Sequence, residues 1–405
     1  SMAYDLNLWD IDTVSVFTPS QSGIYGYRGS NGVISIKTKH GKYTDSFNIG
    51  VNFNSSLSFE KIATYPKVQK LYGGGASDNF TSVNIGGTDY LVPEYSIDES
   101  WGPKYNSTIS VLPWNAYDSW DTENYMKSKP WVYPDNDFTS FFRTANGYQN
   151  NIQVNASNKF QTFQVSYTNM QNSGVYPNSS QKRNNYSINS NIKYENLANV
   201  HVGFTYIDNK TIGRPGPKLT NMWQYTQTNI DYADLKSYIN PDGTQRVWNR
   251  IAWDNPQPNY QDNPFWSTNM NVQDDSHSRY FLNTSLEFNI LKWLSATGRL
   301  GMDKYDLIAK NHKAVGSSEE SQFAIDEYAF KESNAELFLK ANKRVIKNVF
   351  GISVLAGYSH MKGSLRNSGG HTNNGLNIPN FYSLDNSNIS PTLYQNIDEQ
   401  ELKSF

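Results

Sequence analysis

Eight tryptophans carry the clearest chemical signal in this chain. Trp101, Trp114, Trp120, Trp131, Trp223, Trp248, Trp253 and Trp266 are scattered among Asn, Asp and Gln in segments without regular periodicity. Indole faces stack on the apolar faces of sugars, and neighbouring amides and carboxylates meet the hydroxyls. Trp114, Trp120, Trp223, Trp248 and Trp253 are therefore the expected substrate contacts. Such residues also pack loops together or dock partner proteins, since interfaces are enriched in aromatics. The Asn263-Pro264-Phe265-Trp266 run reads as structural.

Catalytic chemistry finds little footing. Asp274-Asp275 and Glu319-Glu320 are adjacent carboxylates, and adjacent loop residues point apart instead of forming an acid/base pair. Asp5, Asp10 and Asp12 do not follow a calcium-loop pattern. The six His lack metal-ligand spacing, and no Gly-x-Ser-x-Gly turn occurs. With no cysteine, thiolate zinc sites, disulfides and Cys nucleophiles are excluded. Glycines at 26, 29 and 32 are not followed by Lys-Ser/Thr or a helical pattern, which argues against phosphate binding there. No enzyme and no cofactor are expected.

Composition describes the scaffold. Of 405 residues, 28 are Tyr, 20 Phe and 10 Trp, while charged residues make only 18%. Mean hydropathy is −0.67. Many aromatics, abundant uncharged polar residues and little charge suit β-structure with one apolar and one wet face. A net charge of −2 argues against a nucleic-acid partner. Apolar runs fall short of the ~18 residues of a membrane helix, so any membrane crossing requires a closed barrel.

Alternation with period two marks about nine strands. Tyr186, Ile188, Ile192 and Tyr194 alternate with polar residues, as do Val200, Val202, Phe204 and Tyr206. Similar series include Phe47/Ile49/Val51/Phe53, Ile152/Val154/Ala156, Phe163/Val165/Tyr167, Leu337/Leu339 and Phe350/Ile352/Val354. Tight turns are predicted at 157–159, 196–198, 291–293 and 344–346, and long excursions at 60–149, 171–185, 210–279, 306–325 and 361–400. Short and long connections thus alternate, as at the two rims of a transmembrane barrel. Tyr186, Tyr194, Tyr206 and Tyr280 would form interfacial girdles. A soluble two-sheet protein, such as a surface carbohydrate-binding module or adhesin, would share the alternation.

Residues Ile24 to Lys42 add a family resemblance. The order Tyr25-Gly26, Arg28-Gly29, Asn31-Gly32-Val33-Ile34 and Lys37-Thr38-Lys39 resembles the plug end of SusC-like (SusC/RagA) TonB-dependent outer-membrane transporters. Phe17-Thr18-Pro19 departs from the family pattern. The 171–176 and 182–186 segments, Asp262–Trp266, Leu300–Asp303 and Gly375–Leu384 continue the similarity in order. The resemblance implies an all-β chain: the end of a plug domain at 1–43, then an incomplete antiparallel transmembrane β-barrel at 44–405, about the first nine strands of 22. Tyr25, Gly26, Arg28, Gly29, Asn31 and Gly32 would be structural in that plug end. It further implies import of oligosaccharides, or alternatively peptides, across the outer membrane of a Gram-negative, Bacteroidetes-like bacterium. Its implied partners are a SusD-like lipoprotein, TonB (through a segment upstream of Ser1) and membrane lipid. Phe405 is expected to fall in the opening residues of a tenth strand, and the piece alone is expected not to transport.

Overall fold

The computed structural model describes residues 5–22, 29–39, 41–346 and 350–404. Its centre is a ten-stranded antiparallel sheet. Around it lie an N-terminal hairpin and two long loop regions. The hairpin pairs β1 (Ile11–Phe17) with β2 (Val33–Thr38). The sheet begins at β3 (Asn48–Glu60). The first loop region holds two small hairpins, β4 (Thr81–Ile85) with β5 (Thr88–Val92), and β6 (Asn106–Val111) with β7 (Lys129–Trp131). The sheet resumes with β8 (Ala145–Ser157), β9 (Gln161–Ser173), β10 (Ser180–Tyr194) and β11 (Ala198–Ile212). The second loop region contains β12 (Arg250–Ala252), β13 (Asn255–Pro258) and a short helix, Pro264–Met270. Then follow β14 (Gln273–Leu291), β15 (Leu294–Lys313), β16 (Gln322–Ile346), β17 (Phe350–Leu376) and β18 (Ser387–Ser404). Each sheet strand pairs with the sheet strand before it, so β3 and β18 are the two edges.

Register shows why the alternation exists. Phe53, Ile152, Tyr167, Tyr186, Tyr206 and Tyr280 are successive cross-strand partners, one row on a single face. Its tyrosines touch ring to ring, at 4.9, 6.0 and 4.8 Å between centroids. Val51, Val154, Val165, Ile188, Phe204 and Leu282 form the next partnered row on that face. Tyr194 lies eight residues from Tyr186 on β10, which at ~3.3 Å rise separates them by about 26 Å. Tilted by roughly 40°, that distance spans about 20 Å of height, close to an apolar band flanked by aromatic girdles. The opposite face carries Gln153, Gln164, Ser166, Thr168, Asn185 and Asn189, all buried.

The apolar core lies elsewhere. Leu112, Trp114, Phe141, Ile230, Leu235 and Trp248 belong to one cluster built entirely from the two loop regions, 61–144 and 213–272. The wall is held by backbone ladders, and the loops by apolar burial. Gly74 and Gly102 pack back to back there: a Cβ on Gly102 would sit 2.1 Å from the Gly74 carbonyl oxygen.

Several expectations need correction. The sheet has ten strands where about nine were expected, because the 361–400 excursion is mostly strand. The open connections are shorter than alternation suggested: 174–179, 213–272, 314–321 and 377–386. The turn expected at 344–346 is still β16, with Arg344 opposite Gly351 and Ile346 opposite Phe350. Along these stretches scattered apolar residues such as Ile308, Ile389, Leu393 and Ile397 sit among polar ones, so the period-two contrast fades while the hydrogen-bond ladder continues. β18 extends over Ser387–Ser404 instead of opening near Phe405, which lies outside the described residues. Its acidic Glu401 faces Lys362, twelve residues above the start of β17, at a height beyond the apolar band.

Candidate functional site

Two places gather chemistry-bearing side chains: a cleft in the loop core and the polar face of the wall. The cleft forms where 117–126 meets 240–257. Arg246 donates from Nε to Asp118 Oδ2 at 2.7 Å and from Nη2 to Asp121 Oδ2 at 2.5 Å. Arg250 donates from Nη2 to the other oxygen of Asp118, at 3.0 Å. All three of Asp118, Arg246 and Arg250 are buried. Two cations against two carboxylates keep the cluster neutral, which makes burying it tolerable. Burial would raise the Asp121 carboxyl, but hydrogen bonds from Asn124 and Arg246 hold it below its ordinary value. Burial pushes the Tyr117 phenol up and the Arg250 guanidinium down.

Aromatic rings cover these charges. The Arg246 guanidinium lies 4.6 Å from the Trp120 ring and 5.3 Å from Trp114. Arg250 lies 5.4 Å from Tyr117, which meets Trp253 at 5.8 Å. The open space between them is about 600 Å³, and Tyr117, Trp120, Tyr125, Trp253 and Asp254 line it. Arg250 Nε and the Tyr117 hydroxyl are buried without a hydrogen-bond partner among the described residues, so polar capacity in the cleft is unspent.

The five expected tryptophans therefore divide. Trp120, at 41% exposure, and half-buried Trp253 line the cleft. Trp114 and Trp248, at 2% and 0%, are core residues. Trp223 packs half-buried against that core and does not line the cleft. Tyr117, Asp118, Arg246 and Arg250 were invisible in the sequence, because more than 120 residues separate the partners and no spacing marks them. Asn263 behaves as expected. Fully buried, it caps the short helix through Phe265 N and donates to the Leu235 and Arg246 carbonyls, fixing the Arg246 segment.

On the wall, the N-terminal segment docks through polar groups. Asn7 donates to Thr168 Oγ1 at 2.8 Å, and Ser166 Oγ donates to Asp10 at 2.6 Å. Arg279 Nη1 reaches Asp5 at 2.8 Å while its other nitrogens hold Asp303 at 2.9 and 2.7 Å. Asp12 is exposed and bonds only its neighbour Thr13, so the three early aspartates do not converge. Within the glycine-rich turn, Gly32 has φ +97°, and a Cβ there would lie 2.8 Å from the Phe17 carbonyl oxygen. Gly29 accepts from Gly32 N and from Ser22 Oγ, closing the turn beside exposed Asn31. Tyr25, Gly26 and Arg28 lie outside the described residues.

No protein-family model and no curated protein matches this chain. Solved structures do. A structure of the RagAB peptide importer in the closed-closed state is 15% identical, with a TM-score of 0.66, covering 98% of this chain and 44% of that one. The open-open state gives 15% identity and a TM-score of 0.67, covering 98% and 43%. A third, of the RagAB peptide transporter, gives 15% and 0.65, covering 98% and 44%. The chain spans less than half the length of the solved chains it matches. The likeness establishes the fold: an all-β chain around one large antiparallel sheet, consistent with part of a barrel wall. Among the described residues, no helix is long and apolar enough to cross a membrane.

Proposed function

We propose that this chain is part of an energised outer-membrane importer of the SusC-like, TonB-dependent kind, and that its cargo is peptide. Residues 1–43 are read as the end of a plug domain and 44–405 as barrel. The observation that carries the reading is the two-faced sheet, with an apolar outer face, a tyrosine row, and a polar inner face holding the N-terminal segment. A bilayer requires that division, because strands can cross it only with their lipid side apolar. Peptide is favoured over the oligosaccharide implied by sequence resemblance, since the similar solved chains are described as peptide importers. Oligosaccharide keeps one supporting observation, the open rings of Trp120 and Trp253. A SusD-like lipoprotein over the mouth and TonB acting on the plug complete the proposal.

Energised cells carrying the full-length protein, with and without its gene or TonB, test it. Labelled peptide mixtures and labelled oligosaccharides are offered separately. Loss of peptide uptake on either deletion is expected. Unchanged uptake of both cargo classes would sink the importer reading, and loss of oligosaccharide uptake alone would reverse the cargo assignment.

A further inference from the structure

We propose that the outer face of this sheet carries a binding site for the phosphate of an outer-leaflet lipid headgroup, built on Lys182 and Lys210. The proposal rests on the membrane-spanning reading above.

Lys182 on β10 and Lys210 on β11 are direct cross-strand partners. Both share the face of Tyr186 and Tyr206, and both are exposed. Like charges directly opposite one another destabilise an antiparallel pair. Neither ammonium makes an ion pair with a described residue, and Asp208, two residues along the same face, reaches neither. A second lysine pair on this face, Lys304 opposite Lys331, is relieved differently: Asp306 lies 3.1 Å from Lys304. The Lys182–Lys210 pair is left with uncompensated charge.

Height decides what can compensate it. The lysines lie four residues above the tyrosine row, about 13 Å along the strand and roughly 10 Å in height. Aromatic girdles mark the headgroup level, and lysine stems reach back along apolar surface. The two ammonium groups therefore stand at the charged layer of the lipid. Between them and the first strands runs a shallow depression of about 410 Å³. Tyr148, Gln171, Ser173 and Ser180 line it, with the Tyr148 hydroxyl donating to Gln171 and the Ser173 hydroxyl to Asn146. Two uncompensated cations beside a polar depression match a phosphate monoester on a large polar headgroup, with acyl chains lying down the Val/Ile rows below. Clusters of basic residues beside a membrane surface recognise anionic lipid in this way.

The test uses the full-length protein in phosphatidylcholine nanodiscs doped with diphosphorylated lipid A or its dephosphorylated form, with bound lipid counted by native mass spectrometry. At a factor of about five per lysine, Lys182→Gln with Lys210→Gln should weaken binding of the phosphorylated lipid roughly 25-fold. Lys182→Arg with Lys210→Arg should retain it, and Lys292→Gln at the opposite rim should change nothing. Equal binding by the parent and the double Gln variant overturns the proposal. So does equal parental affinity for the dephosphorylated lipid, or displacement by inorganic phosphate at matching concentration. A protein that does not enter the discs at all overturns the membrane reading itself, and this is seen before any lipid is counted.

Discussion

Replacing Asp5 by Asn should undock the N-terminal segment without unfolding the wall. Asp5 is buried against β14, where Arg279 donates to it at 2.8 Å and His277 Nδ1 lies 3.4 Å away. Asn is nearly isosteric but neutral, so the charge-assisted part of these contacts disappears. Such bonds contribute roughly 1.5–3 kcal/mol. Because Asn can still accept one hydrogen bond, the lower half of that range applies, or about a 13-fold to 45-fold rise in the open fraction. Arg279 keeps both bonds to Asp303, so it is not stranded. Hydrogen exchange at residues 7–11 reads the opening, since the Asp10 amide donates to the Asn7 carbonyl only in the docked turn. Exchange there should accelerate by the same factor, while Asp12→Asn leaves it unchanged. Burial alone would raise the Asp5 carboxyl, but hydrogen bonds from His277 and Arg279 outweigh it and hold it below the carboxylate range. A depressed folded value means the stabilisation is complete above the unfolded pKa of about 4 and is lost as pH falls through the folded one. Parental protection should therefore stay level from about pH 8 to 5 and decline below about 4. Exchange within twofold of the parent in Asp5→Asn would refute the docking argument.

Four further outcomes follow from the loop core. Asp118→Ala leaves Arg246 and Arg250 short of a buried partner, so the loop regions should lose about 3–5 kcal/mol in urea unfolding followed by tryptophan fluorescence. Trp248→Ala should cost about 3–5 kcal/mol in the same assay. Trp120→Ala should cost under about 1 kcal/mol, since much of that ring is already exposed, yet weaken cargo binding measured by calorimetry. Gly102→Ala drives a methyl into the Gly74 carbonyl and should destabilise the loops by roughly 1–3 kcal/mol, visible as earlier proteolysis of 61–144.

What could be read from the residues was the part of the wall where the two faces differ. Ile188 on one face and Asn189 on the other announce a strand because the two faces of the wall differ in chemistry. Gly363–Leu376 and Ser387–Gln395 show no such contrast, although their backbones pair, without a break from Gly363 to His371 and through two irregularities beyond. Strand order and the parity of short and long connections followed from local sequence alone. The cleft did not, because its arginines and carboxylates meet only after two loop regions fold together. Tryptophans were easy to find and hard to sort. Trp120 and Trp248 look alike as letters, and only packing separates the ring that stays open from the one sealed in the core. Outside the apolar band the wall also hid its lysine pair, since cross-strand neighbours are known only from register.

Strand length has one more consequence. β3, β8 and β9 have 13 residues each, whereas β16 has 25 and β17 has 27. The rim is thus low on one flank and high on the other, by up to about 46 Å of strand at ~3.3 Å per residue. The loop core is fed from the ends of β3, β8, β11 and β14, all shorter than β16 and β17. In the importer proposed above, cargo would meet a doorway with a preferred side, and a cover over it would have a ready-made backstop to close against.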